Sequence, residues 1–141
     1  MRLRLPLGAA ASTLLVAGLA AAAPAHAGPT DRVTVEDTGT VTADGTVTLH
    51  GTYQCLDDGS TGPVLVGSTL KQKDLSSGIG GTRAVCDGQV REWTNTSVVT
   101  APGRYEPGPA RVQANLMKLD TSRAIPLPEF LAQDDADITL R

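Results

Sequence analysis

Thr46-Val47-Thr48-Leu49-His50-Gly51-Thr52-Tyr53-Gln54-Cys55 alternates without a break. Val47, Leu49, Gly51, Tyr53 and Cys55 fall on one face; Thr46, Thr48, His50, Thr52 and Gln54 fall on the other. A strand sends successive side chains to opposite faces, so this period of two predicts a half-buried β-strand with the first set inward. Asp44-Gly45, just before it, is a hairpin-type turn signal. Further upstream, Thr40-Val41-Thr42 and the alternating Arg32–Glu36 predict two short strands separated by a turn at Asp37-Thr38-Gly39.

The same reading extends downstream. Asp57–Pro63 predicts a loop, and Val64–Leu70 a strand with Val64, Val66, Ser68 and Leu70 on one side. Ser76–Gly81 is too rich in glycine for a regular strand interior and predicts a flexible bend. Thr82–Cys86 predicts a strand, Asp87-Gly88 a second hairpin turn, and Val90–Thr94 its return, with Ser97–Thr100 offering an extension. After a Pro- and Gly-rich turn around Tyr105, Ala110–Leu119 alternates with Ala110, Val112, Ala114 and Leu116 inward. Ala124–Leu131 predicts an irregular apolar segment broken by proline, and Ile138 and Leu140 mark a last strand. Seven to eight short strands with turns at this spacing predict an all-β sandwich of antiparallel strands.

The first 27 residues are read as an export signal and not as part of the fold. Arg2 and Arg4 give a positive start, Leu14–Ala23 an apolar run, and Ala25-His26-Ala27 a small-x-small cleavage site. The expected organisation is therefore a signal peptide at 1–27 and a single domain at 28–141, secreted and extracellular. No cysteine directly follows the signal, and the last residues carry no hydrophobic tail, so free secretion is expected. Beyond the signal there are ten basic and fifteen acidic residues, a net charge of −5. That balance argues against nucleic acid and anionic membranes as partners, and no later apolar run has the length of a membrane span.

Cys55 and Cys86 are the only cysteines, and both lie on predicted inward faces. An isolated pair in a secreted chain predicts a disulfide. The alternatives are a redox or a metal site; the first usually has closer C-x-x-C spacing, and the second needs further ligands.

Gly51-Thr52-Tyr53-Gln54-Cys55, Gly80-Gly81-Thr82-Arg83-Ala84-Val85-Cys86-Asp87-Gly88, Trp93-Thr94-Asn95-Thr96 and Pro107-Gly108-Pro109-Ala110-Arg111-Val112 together resemble one family. It is a group of small secreted actinobacterial proteins known as a domain of unknown function. The resemblance runs from about Val33 to Leu140. It implies an immunoglobulin-like sandwich and export, and it brings no catalytic residues.

The candidate chemistry is sparse. His50 is the only histidine beyond the signal and is predicted on an outward strand face, without the nucleophile that acyl transfer requires. Glu92 and Glu106 are the carboxylates weighed as a glycosidase pair, for which a small sandwich offers little cleft. Asp134, Asp135 and Asp137 form the densest acidic cluster, a weak calcium candidate read chiefly as a solvated loop before the last strand. Trp93, Tyr105, Ile125, Leu127 and Phe130 form a candidate binding patch, weighed against a role in covering the core. Asn95-Thr96-Ser97 matches a glycosylation acceptor, a pattern common by chance.

The expectation is a non-catalytic extracellular binding or interaction module without a cofactor. Its partner is an unidentified extracellular protein or small molecule. Two further readings are a small-molecule carrier resembling secreted chromoprotein apoproteins, and a secreted protease inhibitor presenting Gly78–Arg83 or Pro102–Pro109. Carriers of that kind usually have two disulfides, and the known subtilisin-inhibitor type has more cysteines than this chain.

Overall fold

A computed structural model describes residues 31–59, 61–99 and 104–141. The expected signal at 1–27 lies outside the described residues, as do Pro102 and Gly103 of one expected inhibitory loop. The described chain is all-β. Its eight strands are β1 (Arg32–Val35), β2 (Thr38–Val41), β3 (Thr46–Gln54), β4 (Val64–Gln72), β5 (Leu75–Arg83), β6 (Arg91–Val98), β7 (Gly108–Asp120) and β8 (Leu127–Leu140). No helix occurs among the described residues.

β3 is the organising strand, and its alternation is realised: Val47, Leu49, Gly51, Tyr53 and Cys55 are all buried. One edge of β3 is divided between two partners. β2 pairs its first half through Val41 and Val47, and β1 its second half through Val35 and Gly51. β6 takes the whole opposite edge, from Thr46–Val98 to Tyr53–Arg91. β2 then turns its other edge to β8 in parallel, pairing Gly39 with Leu140. β8, β7, β4 and β5 follow in antiparallel order.

The remaining gap, between β5 and β6, is closed by side chains. Gly80 N donates to Ser97 Oγ at 2.9 Å. The Thr82 hydroxyl lies 2.9 Å from Thr94 O and 2.7 Å from Asn95 Oδ1. Asn95, 1 % exposed, donates from Nδ2 to Val66 O and Ser68 Oγ, and Ser68 donates to Ile79 O. One buried amide thus ties β6 to β4, and every buried side-chain polar atom among the described residues has a partner. Asn95 is therefore part of the interior, not an accessible glycan acceptor.

The enclosed core comprises Val66, Leu70, Ile79, Val112, Leu116 and Leu140 with Val47, Leu49 and Trp93. The Trp93 indole nitrogen donates to Thr34 O at 2.9 Å, which satisfies the one polar atom of a large apolar side chain. Cys55 and Cys86 form the expected disulfide, with Cα atoms 4.6 Å apart. It pins the end of β3 to the segment between β5 and β6, beside the Leu56–Asp87 bridge. A disulfide is compatible with an extracellular location.

Three expectations are corrected. The glycine-rich Ser76–Gly81 is not a flexible bend but the middle of β5, so Gly78–Arg83 presents no free inhibitory loop. Gly80 serves the close approach of β6: it has φ +57°, and a Cβ there would lie 3.0 Å from Thr96 O. The Pro-broken segment up to Leu131 is strand from Leu127 onward. Pro128 pairs with Leu119 on the outermost part of the β7–β8 hairpin, where the missing N–H interrupts no interior ladder. Finally, Asp134–Asp137 is not a loop but part of β8.

Candidate functional site

β7 and β8 are the longest strands, and their paired ends run beyond the other strands to Asp120–Leu127. Residues 121–130 are all exposed. The register of the β7–β8 ladder shifts between Leu116 and Met117, and β4 stays paired with β7 as far as Lys118, so the hairpin runs free of β4 only beyond that point. On it stand three large apolar side chains: Ile125 is 75 % exposed, Phe130 63 % and Leu127 47 %. Burying such groups is favourable by roughly 1.5–3 kcal/mol each, and this fold leaves that gain unrealised.

Beside the root of the hairpin lies an open cleft of about 360 Å³. Lys118, Arg83, Asp57 and Asp58 line it together with Leu131 and the disulfide cysteine Cys86. Lys118 occupies an inward position of β7, in step with Val112, Ala114 and Leu116. Its side chain is 8 % exposed, and its ammonium donates to Asp58 Oδ1 at 2.5 Å. A buried ammonium needs a paired carboxylate, and Asp58 supplies it from the segment that follows β3. The alternation of Ala110–Leu119 carried the signal for this lysine, because it puts position 118 on the inner face.

The candidate patch is divided by the fold. Trp93 and Tyr105 are core side chains; the Tyr105 hydroxyl lies 3.2 Å from Leu70 O and 2.8 Å from Ser77 Oγ. Ile125, Leu127 and Phe130 lie at the surface of the β7–β8 hairpin. The three aspartates are placed as follows. Asp134 accepts from Val35 N at 3.0 Å, and so joins β8 to β1. Asp135 and Asp137 face the other way and pair with Arg111 at 3.6 and 2.9 Å.

Glu92 and Glu106 are not brought together. Glu92 shares a hollow of about 150 Å³ with His50 and Glu36, where β6 pairs with β3. Glu106 lines a different hollow with Val41 and Tyr105, and pairs with Lys73 at 3.6 Å. The strongest electrostatic effect among the exposed groups is structural. The Arg91 guanidinium, with the Gln89 N–H, holds the Asp87 carboxyl down at about 2, and Asp87 in turn raises Arg91. This pair closes the turn that follows the disulfide.

The model of a family of unknown function, DUF6299, matches residues 29–141, and the chain belongs to that family. No curated protein matches the chain, and no solved structure does.

Proposed function

We propose that this member of the DUF6299 family is an extracellular, non-catalytic binding module on an immunoglobulin-like sandwich. The strand order supports the architecture: β1 and β2 split one edge between two layers, and β2 crosses from β3 to β8. The disulfide supports export. The separation of Glu92 from Glu106 speaks against that pair as a glycosidase couple.

The observation that carries the binding reading is the projecting β7–β8 hairpin with Ile125, Leu127 and Phe130 outward. Exposed apolar groups on one hairpin fit a partner surface. The test is photo-crosslinking in the fluid of the native host, with p-benzoylphenylalanine at Leu127 and, as control, at the exposed Thr96. A discrete adduct from Leu127 alone supports the reading. Equal labelling from both positions, or none from the hairpin, overturns it.

The carrier reading has one observation in its favour, the cleft beside Lys118, whose size falls at the low end for small-molecule sites. Native mass spectrometry of the protein from its own host distinguishes the two. A bound small mass lost on Lys118→Met favours the carrier.

A further inference from the structure

Among the described residues, the exposed large apolar side chains are not scattered. Six of the seven, Leu56, Val85, Val90, Ile125, Leu127 and Phe130, lie at one end of the fold, and Val98, paired with Thr46, lies toward the other. Pairing places them. Leu56 follows β3 and bridges to Asp87. The Val85 N–H donates to the Tyr53 hydroxyl at 2.9 Å, and Val90 precedes Arg91, which pairs with Tyr53. Val64, at the start of β4, pairs with Lys118, which pairs in turn with Glu129 at the base of the hairpin, and Ala84 N donates to Val64 O. The disulfide segment and the β7–β8 hairpin therefore stand at the same end. The cleft of about 360 Å³ joins them, lined by Leu56 from the first and by Leu131, next to Phe130, from the second.

The charges at this end have one sign in excess. The cleft holds Asp31, Asp57 and Asp58 against Arg83 and Lys118. A second hollow of about 330 Å³ shares Asp58 and Lys118 and adds Asp120 and Glu129. Five carboxylates thus face two cations, and one of those, Lys118, is already 2.5 Å from Asp58. Arg123, which acts on Asp120 from the tip, does not reverse the balance. We infer that the apolar groups on both sides of the cleft form one docking surface, and that its occupant is a polypeptide segment with a lysine or arginine set between apolar residues. The inference rests on the binding reading and extends it from the hairpin to the disulfide segment. A partner that covers this end strips water from the carboxylates between the apolar walls, a cost that a cation of its own offsets. A small molecule held in the cleft leaves Val90 and Ile125 wet, because neither lines it. An anionic membrane surface meets charge of its own sign. A polypeptide spans both walls and supplies the cation.

The test is selection of a displayed random heptapeptide library on the purified, oxidised protein, followed by titration of the isotope-labelled protein with the selected peptides and amide NMR. Enriched peptides are expected to carry lysine or arginine among apolar residues and to shift the amides of both 85–90 and 125–131. Val90→Ser and Asp57→Asn are each expected to weaken them by about threefold to tenfold at an unchanged melting temperature. Val90 is 65 % exposed, and asparagine at 57 keeps the oxygen that accepts from Gly59 N. Peptides that shift only the hairpin and ignore both substitutions overturn the two-sided surface and leave the hairpin reading in place. Peptides that shift only 85–90 overturn both. Enrichment of acidic peptides, or of none that shifts either segment, overturns the inference as well.

Discussion

Gly51 and Trp93 face each other across the β3–β6 ladder, and the tryptophan occupies space that only a glycine leaves. A Cβ at Gly51 would lie 1.8 Å from Thr34 O and 2.6 Å from the indole Nε1. The same indole nitrogen donates to Thr34 O at 2.9 Å. Three strands, β1, β3 and β6, are thus fastened at one point. Gly51→Ala is expected to cost about 3 kcal/mol or more, because backbone, not a flexible side chain, has to move. Trp93→Phe keeps most of the apolar bulk but strands Thr34 O, at about 1–3 kcal/mol. Urea unfolding followed by far-UV circular dichroism measures both. A Gly51→Ala variant as stable as the wild type contradicts this account.

The disulfide closes a loop of 32 residues, counting both cysteines, from Cys55 to Cys86. Restricting the unfolded chain to that extent stabilises the fold by about 3.7 kcal/mol in the chain-entropy model. The Cys55→Ala/Cys86→Ala variant is expected to lose about 2–4 kcal/mol. Guanidinium titrations of the oxidised wild type and the variant give the difference directly; equal midpoints refute it.

The path of the chain was legible wherever one face is buried and the other wet. β3 and β7 alternate cleanly because each has a single core face, and their inward sets match the buried residues. The disulfide followed from the inward placement of Cys55 and Cys86. β5 was missed because its glycines depress strand propensity, and the reason for one of them, Gly80, lies in its neighbour: a Cβ there would crowd Thr96 of β6. β8 was missed in part because its outer end projects from the body, where Pro126 and Pro128 break no interior ladder. The same projection separates Ile125, Leu127 and Phe130 from Trp93 and Tyr105. Their shared aromatic and apolar character in sequence contained nothing about which would be enclosed. The Lys118–Asp58 pair joins positions 60 residues apart, a distance no local pattern spans.

Asp87 gives the fold a dependence on acid. Its carboxyl is held down at about 2 by hydrogen bonds from Arg91 and from Gln89 N, below the ordinary value of 3.8 that the unfolded chain has. A depressed carboxyl binds its proton more readily when unfolded. Its contribution is therefore complete above the unfolded value and is lost as the pH falls through about 2. Asp44 and Asp120 are lowered as well, by hydrogen bonds within their own turns. The Asp87→Asn comparison isolates one site. The variant is expected to melt below the wild type near neutral pH, and the two melting temperatures to converge toward pH 2. A constant difference across that range rules out the Asp87–Arg91 pair as its source.

The hairpin tip gives the opposite kind of prediction, because its apolar groups contribute little to the fold. Leu127 pairs with Asp120 at the outer end of the ladder, and Phe130 lies opposite Met117 on the outward face. Neither belongs to the buried core, whereas Leu116, one position from the Phe130 partner, is fully enclosed. Leu127→Asp and Phe130→Ser are therefore expected to change stability by no more than about 0.5 kcal/mol. Leu116→Ala, which leaves a cavity between β7 and the facing strands, is expected to cost about 2–5 kcal/mol. Urea titrations of the three variants side by side read the contrast. A loss of several kcal/mol at Leu127 would make the tip part of the core and remove the surface on which the binding reading rests. Stability retained at both tip positions keeps that surface available, as the proposed binding reading requires.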